Sequence, residues 1–119
     1  MAKYAILLYW PYASQPDYSS PEFQEVAKDY ATFNAEIGKT GVMTYGVGLS
    51  PTDTATTVRV REGKTLTTDG PFAETKEQLG GVWLFDCKDL DEAIAWATKI
   101  PQAKYGSVEI RPLWQQWQQ

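Results

Sequence analysis

At 119 residues the chain is long enough for one domain with its own core and too short for two. Hydrophobic residues make up 43% and charged residues 22%, with five tryptophans and seven tyrosines, which excludes a disordered chain. A formal charge of -4 and a pI near 4.7, with no run of basic residues, exclude general nucleic-acid binding, which needs clustered Lys and Arg to displace counterions from phosphate.

The first pattern, residues 3–10, is apolar and aromatic throughout and reads as a strand buried on both faces. It is too short to span a membrane and no cleavage-type segment follows it, so a cytoplasmic protein is expected. Residues 11–20 carry two prolines, two tyrosines and three serines and form a loop. Ser20 then supplies an N-cap, Pro21 the first helical position and Glu22 an acid in the first turn. Phe23, Val26, Ala27, Tyr30, Phe33 and Ile37 recur at helical spacing, and Gly41 can take the left-handed conformation that closes the helix. A second strand over 42–47 follows.

Residues 56–61 alternate, 62–64 turn and 65–68 return, which predicts a β-hairpin. Residues 68–81 form a charged, glycine-punctuated loop that runs into a strand over 81–87 with bulky groups on both faces. Cys87 has no partner for an intrachain disulfide and reads as a small core residue in a reducing compartment. Asp89 and Glu92 have capping-box spacing ahead of a helix striped by Ala93, Ile94, Ala97 and Ile100 and stopped by Pro101. A last strand spans 107–113, so one α+β domain is expected over 1–113, with a Trp/Gln-rich tail over 114–119.

Strand, helix, strand, hairpin, strand, helix, strand is the order of a ferredoxin-like βαββαβ sandwich with an inserted hairpin. Two helices cover only one face of a four-stranded sheet. Strands one and three carry large apolar groups at both parities: Tyr4, Ile6 and Leu8 against Ala5, Leu7 and Tyr9, and Val82 and Leu84 against Trp83 and Phe85. A second copy packed sheet to sheet, a dimeric α/β barrel, would cover the exposed face; the competing arrangement folds the C-terminal tail over it.

Residues 68–81 read TDGPFAETKEQLGG, and this segment closely resembles the hallmark of the YCII-related family, specifically its DGPF-domain branch. The resemblance runs from Lys3-Tyr4 through 55–59 and Trp96-Ala97 to 105–112, and leaves out only the tail after Leu113. It implies a dimeric α/β barrel and a regulatory partner linked to extracytoplasmic-function sigma factors. Some YCII relatives have been proposed as enzymes on the strength of a His–Asp pair. This chain has no histidine, so that pair cannot be carried over.

Candidate site residues fall into two groups. Asp69, Glu74 and Lys76, with Glu77 beside them, place carboxylates and an ammonium where a sheltered cleft could tune them for acid–base work, and are the catalytic candidates. The competing reading makes Asp69-Gly70-Pro71 turn chemistry, Phe72 a core plug and Glu74 a tie for the loop. Tyr9, Tyr45, Arg59 and Phe72 are the ligand-binding candidates. The tyrosines, with Trp10 and Tyr12, can wall a pocket, and Arg59, sharing its parity with Arg61, can engage a carboxylate or phosphate. A solvated strand face and ordinary core or dimer packing compete with this.

Without histidine and with one cysteine there is no Ser-His-Asp or Cys-His site and no zinc or facial iron pattern, and neither a dinucleotide fingerprint nor a P-loop occurs. No cofactor and no metal are expected. The favoured function is a small-molecule-binding or accessory regulatory homodimer with no direct nucleic-acid or membrane partner. The alternative, by fold-level analogy, is a cofactor-independent isomerase, lyase or monooxygenase-like enzyme with Asp69 or Glu74 as base and Lys76 or Arg59 stabilising negative charge.

Overall fold

The structure, a computed structural model, describes residues 2–11, 19–73 and 75–114. The apolar N-terminal run forms β1 (Ala2–Pro11), and the signals at Ser20 and Pro21 start α1 (Pro21–Gly38). The Ser20 hydroxyl accepts from the Phe23 N–H at 3.1 Å, satisfying one of the donors a helix start leaves open. Past the helix, Gly41 adopts φ 74° and the chain enters β2 (Met43–Gly48).

A 3-10 turn over Thr52–Thr54 leads into the hairpin of β3 (Thr56–Arg61) and β4 (Lys64–Asp69). Glu62 and Gly63, both at positive φ, make its two-residue turn, the geometry that matches the twist of flanking strands. Then come β5 (Glu77–Cys87), α2 (Leu90–Ala97), α3 (Gln102–Tyr105) and β6 (Ser107–Pro112). Asp89 caps α2 by accepting from the Glu92 N–H at 2.9 Å. Glu92 reaches back one residue past the cap, to the Lys88 N–H at 2.8 Å.

One four-stranded sheet has the order β2-β5-β1-β6 with every neighbouring pair antiparallel, and the β3–β4 hairpin is a separate two-stranded sheet. The architecture is therefore mixed α+β with three helices among the described residues, and the sheet does not close into a barrel. No helix of the described residues is long and apolar enough to cross a membrane.

Parity sorts the two faces as the sequence predicts. Tyr4, Ile6, Leu8, Trp83, Phe85 and Cys87 are buried beneath the helices with Phe33, Ile37, Ala93, Ala97 and Ile100. Burying a large aliphatic or aromatic side chain of this kind stabilises the fold by roughly 1.5–3 kcal/mol. Phe33 stacks on Trp83 at 5.6 Å between centroids and meets Trp96 edge-on at 6.1 Å, which fixes α1 over the sheet and against α2. The other face presents Ala5, Leu7, Tyr9, Val82 and Leu84, half-buried with no layer above them among the described residues, beside the exposed Tyr45 and Val47. Leu113 donates its N–H to the Lys3 carbonyl and Trp114 is exposed. The tail from 115 onward, and with it the idea that the tail covers this face, lies outside the described residues.

Two expectations change. Residues 68–81 are not one loop: Thr68 and Asp69 belong to β4, and β5 begins at Glu77, four residues before the expected start at Gly81. The strand survives its two glycines because of a β-bulge. Leu8 pairs with Gly81 and Tyr9 with Leu79, so Gly80 is the extra residue. A Cβ on Gly80 would lie 2.9 Å from Cδ1 of Trp10, so any larger residue there would push the indole away. The second change is α3, a one-turn helix beyond Pro101, where the sequence pattern assigns no element. It leaves Gln102 the one buried polar residue among those described.

Candidate functional site

α1 meets the sheet unevenly. Phe33 and Ile37 in its second half are each 2% exposed, whereas Phe23 and Val26 in its first half and Tyr30 at its midpoint are half-buried and Ala27 is exposed. The gap beneath that first half is a cavity of about 630 Å³, within the range of ordinary small-molecule sites. Leu8 and Trp10 of β1, Trp83 of β5 and residues 78–81 form its floor, Phe23, Val26 and Tyr30 its roof, and the 47–52 segment one side. That segment is held in place by the Leu49 N–H donating to the Gly80 carbonyl at 2.9 Å. Trp10 is held in turn by stacking on Tyr105, 6.0 Å between centroids and 18° between planes.

No Asp, Glu, Lys or Arg is among the described residues that line the cavity. Its polar side chains are Asn34, Ser50, Thr52, Gln78, Tyr30 and Gln102, with the indoles of Trp10 and Trp83 each carrying one N–H. Gln78 is committed at the rim, where its amide nitrogen donates to the Thr75 carbonyl and hydroxyl at 3.1 Å each. Tyr30 donates its hydroxyl to the Gln102 carbonyl oxygen. Burial pushes the Tyr30 phenol up to about 12, because a phenolate there would lose its water. Gln102 is 1% exposed, and its Nε2 finds no acceptor among the described residues.

The residues singled out from sequence lie elsewhere. Asp69, at the end of β4, and Lys76, just before β5, are exposed and absent from the cavity lining; Glu74 lies outside the described residues. Phe72 is 77% exposed rather than plugging the core, and its carbonyl accepts from Nη2 of Arg59 at 3.4 Å on the exposed hairpin. The Thr57 hydroxyl donates to the Gly70 carbonyl at 2.8 Å. In the described residues the first half of the signature is thus a turn tied to its own hairpin.

Tyr45 is 57% exposed, beside the uncovered sheet face. Tyr9 lies on that same face, donating its hydroxyl to Oε1 of Glu109 at 3.1 Å. Its phenol is held above the ordinary value by burial first, then by the hydrogen bond to Glu109 and that carboxylate's charge. Of the aromatic group at the end of strand one, Trp10 lines the cavity and Tyr12 lies outside the described residues. Cys87 is fully buried. Desolvation, then the charges of Glu92, Asp86 and Asp89, raise its thiol, which suits an inert core residue.

Sequence reasoning missed Gln102 and read Tyr30 only as part of a helical stripe. Nothing in the local pattern marks Gln102, since a glutamine after Pro101 is unremarkable in a turn. The proline itself, at a position that can open a helix, was the one usable signal for α3.

Comparison with known proteins places this geometry in a family. A family model described as the YCII-related domain matches residues 2–117. An uncharacterised protein of Rhizobium meliloti (strain 1021) is 39% identical over 112 residues, covering 92% of this chain and 90% of that protein. A match that spans both core halves, the hairpin and the cavity walls makes the assignment plain: the chain belongs to the YCII-related family.

Proposed function

We propose that the protein is a small-molecule-binding, accessory member of the DGPF branch, acting as a homodimer. The observation that carries the reading is the apolar cavity of about 630 Å³ under the first half of α1, walled by Trp10, Tyr30 and Trp83. The enzymatic alternative finds no carboxylate among the described residues of the lining: Asp69 is outside it, and Glu74, the other candidate base, lies outside the described residues. A link to sigma-factor regulation rests on the family resemblance.

The strand order β2-β5-β1-β6, with each helix joining strands that have one other strand between them, fits a ferredoxin-like sandwich carrying an inserted hairpin. Its helix-free face, centred on Ala5, Leu7, Val82 and Leu84, is the surface on which a second copy would pack to complete a dimeric α/β barrel.

Titration with the neutral fluorescent dye prodan tests the binding reading. Saturable binding of one dye per chain is expected, weakened tenfold or more by Ala27→Phe, which places a ring where the roof lines the cavity. Binding that Ala27→Phe leaves unchanged would sink it. Sedimentation equilibrium tests the dimer. Leu84→Glu should convert the dimer to monomer by placing a charge in the interface, and a wild-type chain that is strictly monomeric at micromolar concentration would remove it.

A further inference from the structure

The cavity is long and narrow. α1 roofs it with Phe23, Val26, Ala27, Tyr30, Ala31 and Asn34, a single stripe at helical spacing. From Phe23 to Asn34 the helix advances about 16 Å, at about 1.5 Å for each residue. β5 floors it from Gln78 to Trp83, and at about 3.3 Å per residue that stretch of strand covers a similar distance. A volume of about 630 Å³ spread along about 16 Å leaves a cross-section of about 40 Å², which is a slot about 7 Å across. Carbon atoms in contact sit about 4 Å apart, so the slot takes one extended chain and not two side by side.

The lining bears on what enters. Its aromatic rings are occupied with other rings: Phe33 stacks on Trp83 at 5.6 Å, Tyr30 meets Trp83 edge-on at 6.2 Å, and Trp10 stacks on Tyr105 at 6.0 Å. They serve as walls for a chain rather than as open platforms for a ring. Val47 and Leu49 at the side and Ala27 in the roof are exposed, so the slot has apolar surface left to bury. With no charged side chain among the described lining residues, a carboxylate or ammonium drawn inside would lose its hydration and gain no counter-charge. We infer that the cavity selects a neutral molecule built on one linear hydrocarbon chain, lying lengthwise between α1 and β5. Each carbon–carbon bond advances an extended chain by about 1.3 Å, so about twelve carbons fill the slot. The inference rests on the binding reading above and adds to it the shape and chemical class of the ligand.

Displacement of prodan by straight-chain alcohols, from hexanol to tetradecanol, tests this on the full wild-type chain, in the cavity that Ala27→Phe identifies as the dye's site. Affinity should rise about three- to fourfold with each added methylene and level off between about ten and thirteen carbons. Levelling below about ten carbons means that the cavity holds a compact molecule, which overturns the inference while leaving the cavity reading intact. A rise unbroken through tetradecanol, or alcohols that fail to displace bound prodan, overturns it in the same way. Decanoate at pH 8, matched in length to decanol, should bind at least about tenfold more weakly, and a smaller gap overturns the requirement for a neutral ligand. If prodan itself does not bind, the cavity reading is lost and the inference with it.

Discussion

The β1–β5 pair and the β3–β4 hairpin are both antiparallel ladders built largely from apolar and β-branched residues, yet they end in opposite environments. Ile6 and Phe85 in the first are 0% and 1% exposed, whereas Val58 and Val60 in the second are 59% and 60% exposed. A strand forms in both, from a continuous apolar run in β1 and from alternation in β3. Burial came only where α1, α2 and α3 could lie across the ladder, and the hairpin stands apart from that layer as its own sheet. The 68–81 signature bridges the two environments: its first half is a turn tied to the exposed hairpin, and its second half is the floor of the cavity.

The contrast predicts a steep gradient of mutational cost. Phe85→Ala, in the central pair, should destabilise by about 3–5 kcal/mol in urea unfolding, the cost of a cavity in a packed core. A loss below about 1 kcal/mol would mean that the helix layer does not close over this strand. Gly80→Ala should cost about 1–3 kcal/mol, since the new methyl displaces the indole of Trp10 from its stack on Tyr105. If Trp10 yields freely, the change will vanish, and the cavity floor is softer than the stacking implies.

A smaller effect belongs to Tyr30. Its folded-state value is raised from 10.0 to about 12, so the unfolded chain loses this proton first. The phenol's contribution is therefore complete below about pH 10 and is lost as the pH rises towards 12. Allowing for the water that reaches a half-covered phenol, the loss is about 1 kcal/mol. Melting curves of wild type and Tyr30→Phe should accordingly converge across that window if Tyr30 is sheltered, and run parallel if it is not. The smallest effect should come from the hairpin. Val58→Thr keeps a β-branched residue on an exposed ladder and should move stability by less than about 0.5 kcal/mol. A larger loss would show that something covers the hairpin after all.

Much of the scaffold is legible in the amino-acid sequence. Ser20-Pro21 and Asp89-Glu92 mark helix starts because they answer a local need, the open N–H groups of a first turn. Parity in β1 and β5 sorts the two faces of the sheet, since a strand has no other way to point its side chains. The candidate site is less legible. The charged residues of the signature draw attention because acid–base chemistry uses them, but Asp69 and Lys76 end at the surface, away from the cavity.

What the amino-acid sequence determined by itself was therefore local and periodic: which segments are strands or helices, where α1 and α2 begin, and which residues face the same way. It also carried the family, because the 68–81 segment and its surroundings are distinctive as a string. Tertiary structure decided the rest. It left a gap under half of α1, used Gly80 as a bulge so that Trp10 could floor that gap, and brought Tyr30 and Gln102 together across 72 positions of chain. Such a pairing depends on how the helix layer settles over the sheet, and a pattern that repeats every two or 3.6 residues holds no record of it.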